Sequence, residues 1–176
     1  RGHTRPTDVP RRYIDDAENH AYVRVPLYEE SRHVRTLAAR LVNADADEIT
    51  FVKNTSEGIS FVANGLKFSH GDTIVTTGVE FPANVFPWLN LRAGGVRVKM
   101  VPEDNGRIAV ERLIEAIDAR TRVVAVSAVQ FASGFRVDLA SLGQACQQKG
   151  VLLCVDAIQG LGCVPIDVRA MNVDFL

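Results

Sequence analysis

The chain has 176 residues, a formal net charge of −1, 47% hydrophobic residues and 23% charged residues. These values exclude a disordered chain, which has fewer apolar residues and more net charge, and they are typical of one folded domain. The near-zero charge argues against a nucleic-acid-binding protein, because such proteins normally carry a basic excess. The longest apolar runs, such as residues 151–155, are far shorter than the ~20 residues of a membrane span. We therefore expect neither nucleic acid nor a membrane as a partner.

The three cysteines, Cys146, Cys154 and Cys163, are irregularly spaced and form no C-x-x-C pair. This spacing argues against a zinc ribbon and against a thioredoxin-type redox site. Free thiols that pack as small apolar groups are typical of a reducing compartment, and the N-terminal residues lack the apolar core of a secretory signal. We therefore expect a cytoplasmic protein. The histidines show no metal-ligand spacing, and no metal site is predicted.

Helical and strand periodicities alternate along the chain. In chain order they predict helix 26–43, strand 49–52, helix 57–66, strand 73–77, helix 83–92 with a break near Pro87, strand 96–101, helix 110–117, strand 123–129, helix 139–149 and strand 151–155. Helix 26–43 places Val34, Leu37 and Leu41 on one apolar stripe. Gly150 is a typical residue to end helix 139–149.

Strands of continuous apolar content, separated by helices, indicate βαβ units and a mostly parallel sheet covered on both faces. The predicted fold class is therefore α/β, with three layers in the order α/β/α. Residues 172–176 predict the start of a further buried strand, and both ends of the sequence are abrupt. We expect the chain to be a piece of a longer protein.

Ligands of open parallel sheets bind beyond the carboxyl ends of the strands, so the residues that follow each strand are candidate ligand contacts. Strand 49–52 is followed by N-T-S-E-G, which opens a helix. Hydroxyl groups and free N–H groups at a helix N-terminus form an anion site, most naturally for phosphate. Asn54 and Glu57 also have the spacing of a capping box, which many helices possess without any ligand.

Phe81 follows strand 73–77 and immediately precedes a proline. Its ring is either offered to a flat ligand at the carboxyl end of the strand or packed on the next helix as a hydrophobic staple. The sequence alone leaves both interpretations open.

Asp156 ends the apolar run 151–155, and Gln159 follows three residues later. A carboxylate at the end of a buried strand is costly unless it meets a cation or several hydrogen-bond donors. An N-cap of the next turn is the alternative role. These loops together provide hydrogen-bond donors for a phosphate, an aromatic side chain, and a buried acid beside an amide. This combination fits a planar, cationic, phosphorylated ring, and pyridoxal phosphate has these properties.

Three segments, residues 51–66, 71–88 and 154–168, resemble the class V aminotransferase family. That family includes cysteine desulfurases, selenocysteine lyases and isopenicillin N epimerase-like proteins. The resemblance implies the large, cofactor-binding domain of a fold-type-I pyridoxal-phosphate enzyme, normally a homodimer. This domain would cover residues 28–176, truncated at both ends, after an N-terminal segment 1–27.

The resemblance also implies roles for individual residues. Thr55 and Ser56 would hold the cofactor phosphate, and Phe81 would stack on the pyridine ring. Asp156 would pair with the pyridinium nitrogen, and Gln159 would hydrogen-bond the phenolic oxygen. A carboxylate at Asp156 keeps the ring nitrogen protonated, and only the protonated ring is a strong electron sink.

Several positions depart from the desulfurase pattern. Phe81 stands where desulfurases usually place a histidine, and Gln130 and Phe131 stand where they usually place a serine–asparagine pair. Ala128 replaces a further common histidine. None of the lysines matches the Schiff-base position, which the resemblance places shortly beyond Leu176, so the chain alone is expected to be inactive.

The resemblance implies an enzyme that acts on an amino-acid substrate through an external aldimine. A cysteine desulfurase or selenocysteine lyase is the alternative within the enzyme class. A truncated, non-catalytic pyridoxal-phosphate-binding or assembly module is the alternative from another class. A dinucleotide-binding domain is disfavoured, because no G-x-G-x-x-G motif follows a strand.

Overall fold

In the computed structural model, which describes residue 5, residues 7–20 and residues 27–176, the strands form one parallel sheet. They are β1 (Thr73–Thr77), β2 (Arg97–Val101), β3 (Thr121–Ser127) and β4 (Leu152–Asp156). Their spatial order is β2-β1-β3-β4. The predicted parallel sheet is confirmed.

Helices connect and precede these strands. The α-helices are α1 (Asp8–His20), α2 (Leu27–Val42), α3 (Thr55–Gly65), α4 (Phe86–Asn90), α5 (Val110–Ala116) and α6 (Leu139–Lys149). Short 3-10 turns cover Ala46–Glu48, Pro82–Asn84 and Leu91–Gly94. Within the described ranges, none of the helices combines the length and the apolar content that crossing a bilayer requires.

Two apolar clusters pack on opposite faces of the sheet. Successive strand residues point to opposite faces, so Ile74 joins one cluster and Val75 joins the other. The cluster of Ile74 contains Trp88 of α4 together with residues of α3. The cluster of Val75 contains Leu113 of α5 together with residues of α6. This arrangement confirms the three-layer α/β/α architecture.

The predicted strand 49–52 is wrong. These residues follow the 3-10 turn Ala46–Glu48 without regular structure and do not join the sheet, and Phe51 and Val52 are exposed. A short apolar run becomes a strand only where a sheet edge accepts its backbone hydrogen bonds. In the described part of the chain, no strand pairs with these residues.

The helix predicted over 83–92 is broken, but at Val85 rather than at Pro87. Val85 separates the 3-10 turn Pro82–Asn84 from α4. Pro87 lies in the first turn of α4, where a backbone N–H has no intrahelical acceptor and its loss costs little.

At the N-terminal side, α1 was not predicted, and none of its residues is buried. Helix α2 is confirmed, but its predicted apolar stripe does not face the core: Val34, Leu37 and Leu41 are exposed, whereas Ala39 and Val42 are buried. Pro26, the predicted first residue of that helix, lies outside the described residues. The domain division at residue 28 stays a prediction.

The further strand predicted over 172–176 is represented by one parallel bridge between Phe175 and Cys154. The Val155 N–H donates to the Phe175 carbonyl at 2.8 Å, and the Phe175 N–H donates to the Leu153 carbonyl at 3.1 Å. These bonds place Phe175 beside β4, on the side away from β3.

Candidate functional site

The chain changes direction in the sheet between β1 and β3. From β1 it passes to β2 on one side, and it then returns to β3 on the other side of β1. The loops that leave the carboxyl ends of β1 and β3 therefore diverge and leave a crevice. In open α/β sheets such a switch point is the usual ligand site.

Asp156 is the last residue of β4 and is only 4% exposed. Its Oδ1 accepts a hydrogen bond from the Ile158 N–H at 3.0 Å, whereas its buried Oδ2 has no partner among the described residues. Burial raises the pKa of the Asp156 carboxyl, and the negative charge of Glu80 raises it further. The capping interpretation accounts for one carboxylate oxygen, and the other oxygen is available to a cationic donor.

Glu80, which sequence reasoning left without a role, is a buried carboxylate three residues beyond β1. Its Oε1 accepts hydrogen bonds from Thr77 Oγ1 at 3.0 Å and from Gln130 Nε2 at 2.7 Å. Its Oε2 accepts from Asn84 Nδ2 at 3.0 Å and from Ser127 Oγ at 2.5 Å. The Ser127 N–H also donates to both oxygens, at 3.0 and 3.1 Å. Glu80 therefore ties the ends of β1 and β3 together at the switch point.

The signal that could have identified Glu80 is the one that identified Asp156, namely a carboxylate just beyond a buried strand.

The hydrogen-bond network around Glu80 continues beyond its direct partners. Trp88 Nε1 donates to Asn84 Oδ1 at 3.2 Å. Gln130 is 1% exposed, and its Oε1 has no partner in the described part of the chain.

The N-terminus of α3 has the predicted cap. Asn54 Oδ1 accepts from the Glu57 N–H at 2.9 Å, and Glu57 Oε2 accepts from the Lys53 N–H at 2.8 Å. Thr55 and Ser56 occupy the first turn of α3, where their N–H groups have no intrahelical acceptor. The cap therefore leaves these two N–H groups available to an anion.

The Phe81 ring is 45% exposed and contacts the Phe131 ring edge-on, with 5.2 Å between ring centroids and 81° between ring planes. A cavity of about 420 Å³ lies beside Phe81 and reaches Ser56 on α3. The structure thus brings Phe81 and Ser56 to one cavity. Ser127, which donates to Glu80, is the register partner of Asp156. Gln159 is exposed on the turn after β4, and no described contact joins it or Thr55 to the cavity.

The family model of class V aminotransferases matches residues 19–176. The chain belongs to this family. The match covers the sheet, all helices from α2 onward and every candidate site residue, so the resemblance and the fold-type-I architecture are confirmed.

Several relatives of this class V chain are cysteine desulfurases by name. A probable cysteine desulfurase of Methanothermobacter thermautotrophicus is 41% identical over 145 residues, which cover 82% of this chain and 36% of the relative. The apo structure of a cysteine desulfurase from Thermococcus onnurineus NA1 is 29% identical with a TM-score of 0.78, and the match covers 83% of this chain and 37% of that one. The cysteine desulfurase CsdA of Escherichia coli is 26% identical with the same TM-score, over 99% of this chain and 41% of that one. The chain therefore spans less than half the length of these proteins.

The described residues fit pyridoxal phosphate, the cofactor of class V enzymes. Asp156 Oδ2, which has no partner in the described ranges, suits a protonated ring nitrogen, and the first turn of α3 suits a phosphate. No group of three or more His, Cys, Asp or Glu in the described ranges could hold a metal ion. Cys146 and Cys154 are buried, whereas Cys163 is exposed.

Proposed function

We propose that this chain is the cofactor-binding part of a pyridoxal-phosphate enzyme that releases sulfur from cysteine, a cysteine desulfurase. The observation that carries the cofactor assignment is the buried Oδ2 of Asp156 at the carboxyl end of β4, which has no partner among the residues that the structure describes. The chain contains less than half of the length of its relatives, so its own residues do not identify the substrate. The choice of cysteine is supported by the names of those relatives.

Asp156 would accept a hydrogen bond from the ring nitrogen through Oδ2 and keep that nitrogen protonated. Its Oδ1 is already held by the Ile158 N–H, which fixes the orientation of the carboxylate. A buried anion holds a facing cation more firmly than an exposed one, because water does not screen the pair. When bound, pyridoxal phosphate supplies the electron sink for the substrate carbon, and its sink strength depends on the protonation that Asp156 maintains.

Ser56 and Thr55 would bind the cofactor phosphate through their N–H groups and hydroxyls, which the positive end of α3 favours electrostatically. Phe81, which lines the same cavity as Ser56, would cover one face of the ring. Gln159 is exposed in this structure, and its bond to the phenolic oxygen stays a prediction. The Schiff-base lysine beyond Leu176, the homodimer and the cytoplasmic location also stay predictions.

A second candidate is another class V reaction, such as transamination, epimerisation or lysis. It is favoured by the edge-on pair of Phe81 and Phe131, which occupies positions where the desulfurase pattern has a histidine and an asparagine. A phenylalanine transfers no proton, so reactions that need a proton relay at these positions would require another group.

The test gives the natural full-length protein cysteine together with a thiol reductant, which supplies the two electrons that convert the released sulfur to sulfide, and measures alanine and sulfide. We expect both products in equal amounts, and Asp156→Asn is expected to lower turnover about 10²–10³-fold. Pyruvate formed with sulfide in place of alanine, a D-amino acid, or a keto acid that retains the sulfur would instead support the second candidate. Cofactor that is bound but never fixed covalently to the protein by borohydride would support the non-catalytic module.

A further inference from the structure

Glu80 is a buried carboxylate whose hydrogen-bond donors, within the described part of the chain, are all neutral. The donors to its oxygens are hydroxyl, amide and backbone N–H groups of Thr77, Asn84, Ser127 and Gln130. Among the ion pairs of the described residues, none involves Glu80. Neutral donors stabilise a carboxylate without cancelling its charge.

Asp156 is a second buried carboxylate close to the first. Ser127, which contacts Glu80 through both its N–H and its hydroxyl, is the register partner of Asp156 across β3 and β4. The Glu80 charge raises the pKa of Asp156. Two buried carboxylates without a buried cation destabilise each other, and a cationic ligand relieves that repulsion.

We propose that Glu80 is a positioning residue of the cofactor site that makes the site selective for a ring with a protonated nitrogen. This inference rests on the proposed binding of pyridoxal phosphate at Asp156. Glu80 fixes the end of β3 beside Asp156, and it supplies a second negative charge behind the carboxylate that meets the ring. It also directly precedes Phe81, so the same anchor sets the backbone from which the Phe81 ring projects.

The test compares two ligands that differ only at the ring nitrogen. One is 4-deoxypyridoxine 5′-phosphate, and the other is the same molecule with a C–H in place of that nitrogen. Neither ligand has an aldehyde, so their affinities do not depend on a lysine. Both dissociation constants are measured by calorimetry on the apo form of the natural full-length protein at neutral pH. The dissociation constant of the C–H analogue divided by that of the nitrogen ligand is the ratio that reports selectivity for the nitrogen.

In Glu80→Gln, which removes the charge and keeps the size, we expect that ratio to fall about three- to tenfold. Trp88→Phe is the matched control, because it breaks the Trp88–Asn84 bond of the same network and leaves every charge in place. In this control both affinities change by the same factor, and the ratio is retained. A folded Glu80→Gln protein with the wild-type ratio would overturn the inference.

Gln130→Lys gives an independent test that keeps Glu80, in case Glu80→Gln does not fold. It places an ammonium group where an amide now donates to Glu80 Oε1 at 2.7 Å, which neutralises the pair. We expect the ratio to fall as in Glu80→Gln, whereas the uncharged Gln130→Met retains it. Equal ratios in Gln130→Lys and Gln130→Met would contradict the role of the Glu80 charge.

Asp156→Asn separates this inference from the proposed function. If Asp156→Asn abolishes the preference for the nitrogen ring while Glu80→Gln retains it, only the role of Glu80 is wrong. If Asp156→Asn itself retains the preference, the pairing of Asp156 with the ring nitrogen is wrong, and the inference about Glu80 fails with it.

Discussion

Gly143 of α6 faces the carbonyl oxygen of Met171 so closely that a Cβ on Gly143 would lie 1.8 Å from that oxygen. This contact seats α6 directly on the turn that precedes Phe175. A backbone carbonyl cannot move aside as the end of a side chain can, so the position has room for hydrogen alone.

Gly143→Ala is therefore expected to destabilise the protein by about 1–3 kcal/mol, the usual cost of overpacking a tight core position. Helix propensity favours alanine by up to about 1 kcal/mol, which the clash exceeds. Gly65→Ala is the matched control, because Gly65 is also helical and a Cβ there meets no atom within 4 Å. Denaturant unfolding should show a loss for Gly143→Ala and no loss for Gly65→Ala, and equal stabilities would contradict the predicted clash.

Asp156→Asn is expected to stabilise the apo protein at neutral pH. Because the pKa of Asp156 is raised in the folded state by burial and by the Glu80 charge, its ionised form opposes folding. Protonated Asp156 contributes to the stability of the folded protein. This contribution is complete below the pKa of Asp156 in the unfolded chain, and it is lost as the pH rises through the higher pKa of Asp156 in the folded protein. A gain of 1 kcal/mol would raise the Tm by about 2–4 °C in a domain of this size.

Thermal unfolding of the apo form across acidic and neutral pH checks this expectation. The advantage of Asp156→Asn should shrink as the pH falls, since the wild-type carboxyl then becomes protonated. An advantage that is independent of pH would attribute the effect to packing rather than to charge.

Asn54→Ala is expected to cost about 1 kcal/mol of stability and to weaken phosphate binding at α3. The substitution removes the side-chain oxygen that accepts the Glu57 N–H at 2.9 Å, and N-cap losses have this typical size. Asn54→Ser keeps a capping oxygen and should restore most of the stability. Urea unfolding and the affinity for 4-deoxypyridoxine 5′-phosphate are the two measurements, and a stable Asn54→Ala protein would argue that the cap is dispensable.

The three cysteines should differ sharply in reactivity. Burial raises the pKa of Cys146 and of Cys154 to about 12, so at neutral pH these thiols are protonated and shielded. Cys163 is exposed. Of these three residues, a thiol reagent should modify only Cys163 in the native protein and all three after denaturation, and Cys163→Ser should abolish their native labelling. Fast labelling of Cys154 would show that β4 opens locally.

Strong local signals account for the elements whose predicted bounds equal the observed ones, strand 73–77 and helix 139–149. A turn precedes the strand. Gly150, in the left-handed conformation, ends the helix. The prediction of strand 49–52 was wrong because a short, mostly apolar run forms a strand only where a sheet edge accepts its backbone hydrogen bonds. Which edges exist depends on where distant parts of the chain fold.

By itself, the sequence determined the α/β class. It also predicted the carboxyl edge as the ligand side and the candidates Thr55, Ser56, Phe81, Asp156 and Gln159, since periodicity and residue chemistry are local properties. Only the tertiary structure decided that one oxygen of Asp156 has no partner among the described residues and that Glu80 joins the ends of β1 and β3. The partners of Glu80 include Ser127 and Gln130, about fifty residues away in sequence. Contacts at that separation form through the parallel pairing of β1 with β3, which no local pattern encodes.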